Sequence, residues 1–138
     1  MHQNALAFYR FFIDKKCVLT CSTISVAEYC VGGNFDELPW KDLQVLPFNI
    51  NHAQRAGELA KLVFQHKNQL NLSHRNVIPN DTKLFAQADA ESKIDAFATS
   101  DEECISVFNM IQTYQPVQFS ILNIRKPFSE TFGLLFAP

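Results

Sequence analysis

Residues 94–124, IDAFATSDEECISVFNMIQTYQPVQFSILNI, carry the clearest structural signal of the chain. They contain an apolar segment at Ile94–Ala98, a helical pattern over Asp101–Tyr114 and a second apolar segment at Val117–Ile124. A strand, a helix and another strand in this order predict two parallel strands joined by a crossover helix. This segment therefore favours the α/β class.

The same alternation continues towards the N-terminus. Helical patterns predict four helices: residues 3–14, Thr23–Val31, a helix that begins at Asn51, and Asn80–Ser92. Ser22 or Thr23 is the predicted cap of the second helix, and Asn51 with Gln54 resembles a capping box at the start of the third. Strands are predicted at Cys17–Cys21 and Leu43–Phe48. The helix from Asn51 has its apolar stripe at Ala53, Ala56, Ala60, Val63 and Phe64. No repeat or composition break marks a second domain. The sequence predicts one three-layer α/β/α domain over residues 1–138, with a mostly parallel sheet and a tail, 127–138, extended across the surface.

Composition bounds the function classes. Hydrophobic residues make up 47% and charged residues 19% of 138, which is typical of a globular protein with, given 13 Phe, a Phe-rich core. The net charge of −2 excludes a protein that attracts phosphates through an overall basic charge. It does not exclude a local basic patch. No apolar run approaches the ~20 residues of a membrane span. With no secretion signal at the start, we expect a cytoplasmic protein without membrane contact.

The four cysteines are expected to be free thiols. Cys17, Cys21, Cys30 and Cys104 show no Cys-x-x-Cys spacing, which argues against zinc, and a disulfide framework is not expected without a secretion signal. Apolar neighbours favour burial of these thiols.

Glu28 is predicted on the inward side of its helix. Ile24, Ala27 and Val31 form the apolar stripe, and positions three or four apart share a face. A buried glutamate is costly unless it is paired, protonated or bound to a metal. The alternative is a helix rotated so that Glu28 reaches solvent.

Asp81 is predicted at the start of the helix Asn80–Ser92, above Phe85 and on the core side. Asn80 and Asp81 are both favoured at caps and in first turns, so this position alone decides nothing.

Asp101 follows the strand Ile94–Ala98 after Thr99 and Ser100, at the carboxyl end of that strand. The segment from Ser100 to Glu103 also fits a capping box, and a cap and a ligand role are compatible.

If the sheet is parallel, these three carboxylates are available near one rim of it. Clustered carboxylates favour hard cations such as Mg²⁺ or Mn²⁺, which suit the hydrolysis of phosphodiesters. Lys67, His74 and Arg75, in the polar connection Gln65–Pro79, are candidate contacts to an RNA backbone. The alternative for that connection is a solvated surface segment.

Three segments resemble, in order and spacing, the acidic motifs of PIN-domain proteins. They are STISVAEY (Ser22–Tyr29), NDTKLFAQA (Asn80–Ala88) and FATSD (Phe97–Asp101), and the resemblance runs from about residue 17 to 124. It implies a PIN-like parallel sheet and metal-dependent RNA cleavage at an acidic cluster.

Carried over by position, Glu28, Asp81 and Asp101 are the catalytic residues and the ligands of Mg²⁺ or Mn²⁺. Thr99 and Ser100 are supporting residues. Many bacterial members are the toxin of a toxin–antitoxin pair, so the resemblance implies RNA as substrate, an antitoxin protein as partner and a second copy in a homodimer.

One departure from the family pattern is expected to matter. PIN domains normally open with a strand ending in Asp-Thr-Asn, and nothing here corresponds, since Asp14 within the first helix is a poor substitute. We expect a chain that lacks the first strand, through truncation or degeneracy, and binds catalytic metal weakly. A gap or an unusual pairing is then expected between the strands near 17–21 and 94–98.

Two functions from different classes follow. The first is an endoribonuclease that uses Mg²⁺ or Mn²⁺ when the N-terminal strand is present and leaves a 5′-phosphate and a 3′-hydroxyl. The second is a catalytically degenerate protein-interaction module with the same fold. A phosphoryl-transfer receiver or phosphatase-like domain ranks last, because no paired aspartates end a first strand.

Overall fold

The computed structural model of the protein describes residues 3–70 and 77–132, with the backbone alone at 77–79 and 132. The chain forms two compact units, an N-terminal unit (Met1–Phe48) and a C-terminal unit (Asn49–Pro138). The single domain over residues 1–138 stays a prediction, because each unit is described by itself.

Over residues 3–48, the N-terminal unit contains two α-helices and two parallel strands. In chain order these are α1 (Gln3–Asp14), β1 (Leu19–Ser22), α2 (Thr23–Tyr29) and β2 (Leu43–Leu46). The pairing of β1 with β2 runs from Leu19 opposite Leu43 to Ser22 opposite Leu46. Ser22 caps α2, as predicted, and its side chain accepts a hydrogen bond of 3.1 Å from the backbone N–H of Ile24.

The described part of the C-terminal unit contains four α-helices and a second pair of strands. In chain order these are α3 (Ile50–Gln65), α4 (Val77–Ala90), β3 (Ala96–Thr99), α5 (Glu102–Tyr114), β4 (Ser120–Asn123) and α6 (Phe128–Phe132). The strands β3 and β4 pair in parallel, from Ala96 opposite Ser120 to Thr99 opposite Asn123. The predicted strand, crossover helix and parallel strand within residues 94–124 are therefore confirmed.

The α/β class is confirmed, but the sheet is divided. Within the described ranges β1 pairs with β2 alone and β3 with β4 alone, so the strands belong to two separate two-stranded sheets. The gap or unusual pairing expected between the strands near 17–21 and 94–98 stays a prediction, because these strands belong to different units.

Phenylalanine dominates the core of the C-terminal unit, as composition predicted. Phe85, Phe108 and Phe119 have ring centroids 5.5–5.9 Å apart, and Phe97 lies 5.1 Å from Phe85. These separations are typical of edge-to-face and tilted aromatic pairs, which add to the stability gained from apolar burial. Phe85 of α4 therefore contacts both Phe97 of β3 and Phe108 of α5.

The predicted start of α3 is wrong. The cap is Asn49 rather than Asn51, because the Asn49 side chain accepts bonds from the backbone N–H groups of Asn51 and His52. In return, Nδ1 of His52 accepts a bond of 3.1 Å from the backbone N–H of Asn49. The reciprocal capping box therefore uses a histidine where the sequence rule expects Glu or Gln.

The inward stripe of α3 also differs from the prediction. His52, Leu59 and Val63 are buried, whereas Ala53 is exposed and the Phe64 side chain is half exposed. A helix buries the face that its neighbours cover, and here that face includes a histidine whose two ring nitrogens both have partners.

The start of α4, the tail and the burial of the cysteines also differ from the prediction. The helix α4 begins at Val77 rather than Asn80, since Pro79 is tolerated in the first turn, where its missing N–H would have no helical partner. The tail, predicted to be extended, is helical at Phe128–Phe132. Glu130 lies in the first turn of this helix, where the helix dipole favours a negative charge. Residues 133–138 lie outside the described residues. Cys17 and Cys30 are exposed, although all four thiols are free as expected.

Among the described residues, no helix combines the length and the apolar character needed to cross a membrane.

Candidate functional site

Asp101 lies just beyond the carboxyl end of β3 and is the N-cap of α5. Its Oδ1 accepts hydrogen bonds from the backbone N–H groups of Glu103 (2.8 Å) and Cys104 (3.4 Å). Its own N–H donates to Oγ1 of Thr99 at 3.1 Å. The predicted cap at Ser100 is therefore wrong, because Asp101 itself caps the helix. These bonds hold the carboxylate in one orientation and use one of its two oxygens.

Asp81 is buried, with 7% of the residue exposed, and lies one turn before Phe85 on the core side of α4. Its predicted place at the helix N-terminus is wrong, because α4 begins four residues earlier at Val77. The prediction that it faces the core is confirmed. A buried carboxylate needs compensating interactions, and α4 packs against both α5 and β3.

Asp81, Thr99 and Asp101, three predicted site residues of the C-terminal unit, all affect the Cys104 thiol. Cys104 is 2% exposed and lies three residues after Asp101. The pKa of the Cys104 thiol is raised, mainly by burial. The negative charges of Asp81 and, to a smaller extent, Asp101 raise this pKa further, whereas a hydrogen bond with Thr99 lowers it. Two of the three predicted acidic residues, together with Thr99, therefore lie close enough to act on the same group.

Glu28 is exposed, and none of the residues of α2 is buried. Val31, predicted on the inward stripe, is 90% exposed and lies beyond the end of the helix. The predicted inward orientation of Glu28 is therefore wrong, and the alternative of a helix turned towards solvent holds. Periodicity fixes which residues share a face, but not where that face points. Glu28 belongs to the N-terminal unit and the two aspartates to the C-terminal unit.

The supporting positions differ in exposure. Thr99 is half-buried at the end of β3, and Ser100 is exposed. Lys67 is exposed in the 3-10 turn Lys67–Gln69, where solvent screening weakens but does not remove attraction to a phosphate. His74 and Arg75 lie outside the described residues.

The donor set of the C-terminal unit suits a hard divalent cation. Magnesium commonly binds through one or two carboxylates, keeps several waters and completes its shell with substrate phosphates. Asp81 and Asp101 supply carboxylates of this kind, while the Cys104 thiol, held protonated by its raised pKa, is no ligand for such an ion. Within the described residues, no three His, Cys, Asp or Glu side chains are grouped closely enough to bind a metal on their own.

A polar cluster between α3 and the end of α4 was not predicted from the sequence. His52 is 1% exposed, and its Nε2 lies 3.0 Å from Oε1 of Glu91. Arg55 binds Asp89 through Nε at 2.9 Å and through Nη2 at 2.8 Å. The only local signal was Asn49 three residues before His52, because the other partners are distant in sequence.

Comparison of the chain with protein-family models, with curated proteins and with solved structures found no match. The resemblance to PIN domains rests on the three sequence segments.

Proposed function

We propose that the chain is a metal-dependent ribonuclease with a three-layer PIN-like fold. The supporting observation is that Asp81 and Asp101, 20 residues apart in sequence, both act on the buried Cys104 thiol beyond the end of β3. Carboxyl ends of parallel strands are where α/β folds hold their sites.

In this proposal Asp81 and Asp101 of the C-terminal unit hold the divalent ion, Mg²⁺ or Mn²⁺, and a ligand role for Glu28 rests on the resemblance alone. Asp101 would bind through the oxygen that the α5 cap leaves unused, since Oδ1 accepts two backbone N–H bonds. When bound, such an ion lowers the pKa of a coordinated water and neutralises charge on phosphate oxygens.

The chain's own residues orient this site. The Thr99 hydroxyl accepts the N–H of Asp101 and so fixes the turn between β3 and α5. Ser100 is exposed and is proposed to contact a phosphate. Lys67, with His74 and Arg75, is proposed to guide the RNA backbone by charge alone, without reading its sequence.

The test is cleavage of single-stranded RNA with Mg²⁺ or Mn²⁺ and with EDTA. We expect weak cleavage by the wild-type chain, in line with its expected weak metal binding, and loss of that cleavage, by about 100-fold or more, in the double variant Asp81→Asn, Asp101→Asn. Glu102→Gln is the matched control, because it removes an exposed carboxylate one residue from Asp101. Activity that survives the double substitution would overturn the proposal.

A second candidate is a protein-interaction module that keeps the fold and has lost the chemistry. The exposed Glu28 favours it. Calorimetric titration with Mn²⁺ separates the two: the nuclease predicts weak, saturable binding that Asp81→Asn abolishes, and the module predicts none.

The proposed partners follow from the same resemblance. They are an RNA substrate, an antitoxin protein and a second copy of the chain, in the cytoplasm. Sedimentation analysis of the purified chain tests the homodimer, and co-purification with the product of an adjacent short reading frame tests the antitoxin.

A further inference from the structure

A cavity of about 330 Å³ lies in the N-terminal unit, between α1 and the 3-10 turn Trp40–Asp42. The cavity is open to solvent, and its volume is at the lower end of the range for small-molecule sites, about 300–1,000 Å³. Ile13 from α1 and Pro39 before the turn give the cavity an apolar lining. None of these residues belongs to the proposed nuclease site.

The two walls are tied together by one hydrogen bond. The hydroxyl of Tyr9, on α1, donates to the carboxylate of Asp42, on the turn, and both residues line the cavity. The charge of Asp42 therefore already has a donor. The bond also fixes the spacing of the walls, which favours a preformed site.

Three charged residues of the lining remain. Arg10 and Asp14 come from α1, and Lys41 comes from the turn. Across residues 3–70 and 77–132, none of these three side chains forms an ion pair or a hydrogen bond. The cavity thus offers two cations and one carboxylate to a ligand.

The position of Asp14 adds to this pattern. It is the last residue of α1, where the helix dipole disfavours a carboxylate and favours a positive charge. A cationic group bound there would interact favourably with Asp14 and with the last carbonyl groups of the helix. The two cations, one on each wall, favour an anionic group.

We propose that this cavity binds a small zwitterion, namely an α-amino acid with an apolar side chain. The carboxylate of the ligand contacts Arg10 and Lys41, its ammonium group contacts Asp14, and its side chain lies against Ile13 and Pro39. A purely anionic ligand would leave Asp14 unmatched, and a purely cationic one would leave both basic side chains unmatched.

The test is an NMR titration of the full chain with L-leucine and two analogues of similar size. L-leucinamide lacks the carboxylate, and N-acetyl-L-leucine lacks the ammonium group. For so small a ligand in an open cavity we expect a dissociation constant on the order of 1 mM. Each analogue should bind roughly tenfold more weakly, because it loses a charge-assisted hydrogen bond.

Variants locate the binding. Arg10→Gln and Asp14→Asn should each weaken leucine binding about tenfold. Lys93→Gln and Asp95→Asn are the matched controls, because they make the same charge changes at exposed positions of the C-terminal unit. Failure of leucine to bind, or equal binding of N-acetyl-leucine, would overturn the proposal, as would equal losses in the controls. None of these results depends on RNA cleavage.

Discussion

Nε2 of His52 lies 3.0 Å from Oε1 of Glu91, 39 residues further along the chain. Nδ1 of the same ring accepts the backbone N–H of Asn49, and a backbone N–H can only donate. The neutral ring therefore carries its proton on Nε2 and donates it to Glu91. One buried histidine thus joins the start of α3 to the residue that follows α4.

Replacing His52 with alanine should destabilise the protein by about 2–3 kcal/mol. The substitution leaves a cavity and removes the acceptor of the backbone N–H of Asn49, at the start of α3. Denaturant unfolding followed by circular dichroism measures the change. Asn51→Ala is the control, since that side chain is exposed in the same helical turn. Equal stability of the two variants would mean that the His52 contacts contribute nothing.

Asp89 should contribute more to stability than Glu58, although both bind Arg55. Asp89 is 14% exposed and also accepts the backbone N–H of Gln118 at 2.9 Å, whereas Glu58 is half exposed. We expect Asp89→Asn to cost about 1–3 kcal/mol and Glu58→Gln at most about 0.5 kcal/mol. Thermal or urea unfolding of the two variants checks the order, which would be reversed if exposed ion pairs dominated.

Asp101→Asn should leave folding nearly unchanged, because asparagine is as good an N-cap as aspartate. Asp101→Ala should cost about 1 kcal/mol, since two backbone N–H groups of α5 lose their acceptor. Urea unfolding of both variants separates this structural role from the proposed metal role. If Asp101→Asn destabilised as much as Asp101→Ala, loss of nuclease activity in the asparagine variant could not be assigned to the site.

Tyr9 should ionise at a higher pH than an ordinary tyrosine. Its hydrogen bond to Asp42 is the main cause of the raised pKa, followed by burial and the charge of Asp42. The stability from this bond is present below the pKa of an unfolded tyrosine, about 10, and is lost as the pH rises through the higher pKa of folded Tyr9. Ultraviolet titration follows phenol ionisation, and Tyr9→Phe should remove its most alkaline transition. Removal of a different transition would contradict the assignment.

Cys104 should be the slowest thiol to react with a disulfide reagent at pH 8. Burial and two neighbouring carboxylates raise its pKa, whereas Cys17 and Cys30 are exposed. The native protein should therefore show rapid phases and one phase at least about tenfold slower. Cys104→Ser should remove the slowest phase, and denaturation should merge all phases; a rapid Cys104 would contradict its burial.

Local sequence signals determined a large part of this fold. The apolar segments and helical periods of residues 94–124 were enough to predict β3, α5 and β4, because such signals act within a few residues. Ser22 before α2 was predictable as a cap for the same reason, since its side chain bonds a backbone group two residues away. The number of phenylalanines also predicted a Phe-rich core, but it did not predict which rings contact each other.

Long-range packing decided the rest. Periodicity gives the relative phase of residues in a helix, but the neighbours that cover it decide which face is inside, so His52 is buried and Glu28 exposed against expectation. The pairing of His52 with Glu91 and the approach of Asp81 to Cys104 join residues that no local pattern relates. Their free energies depend on desolvation and distance, which exist only once the chain has folded.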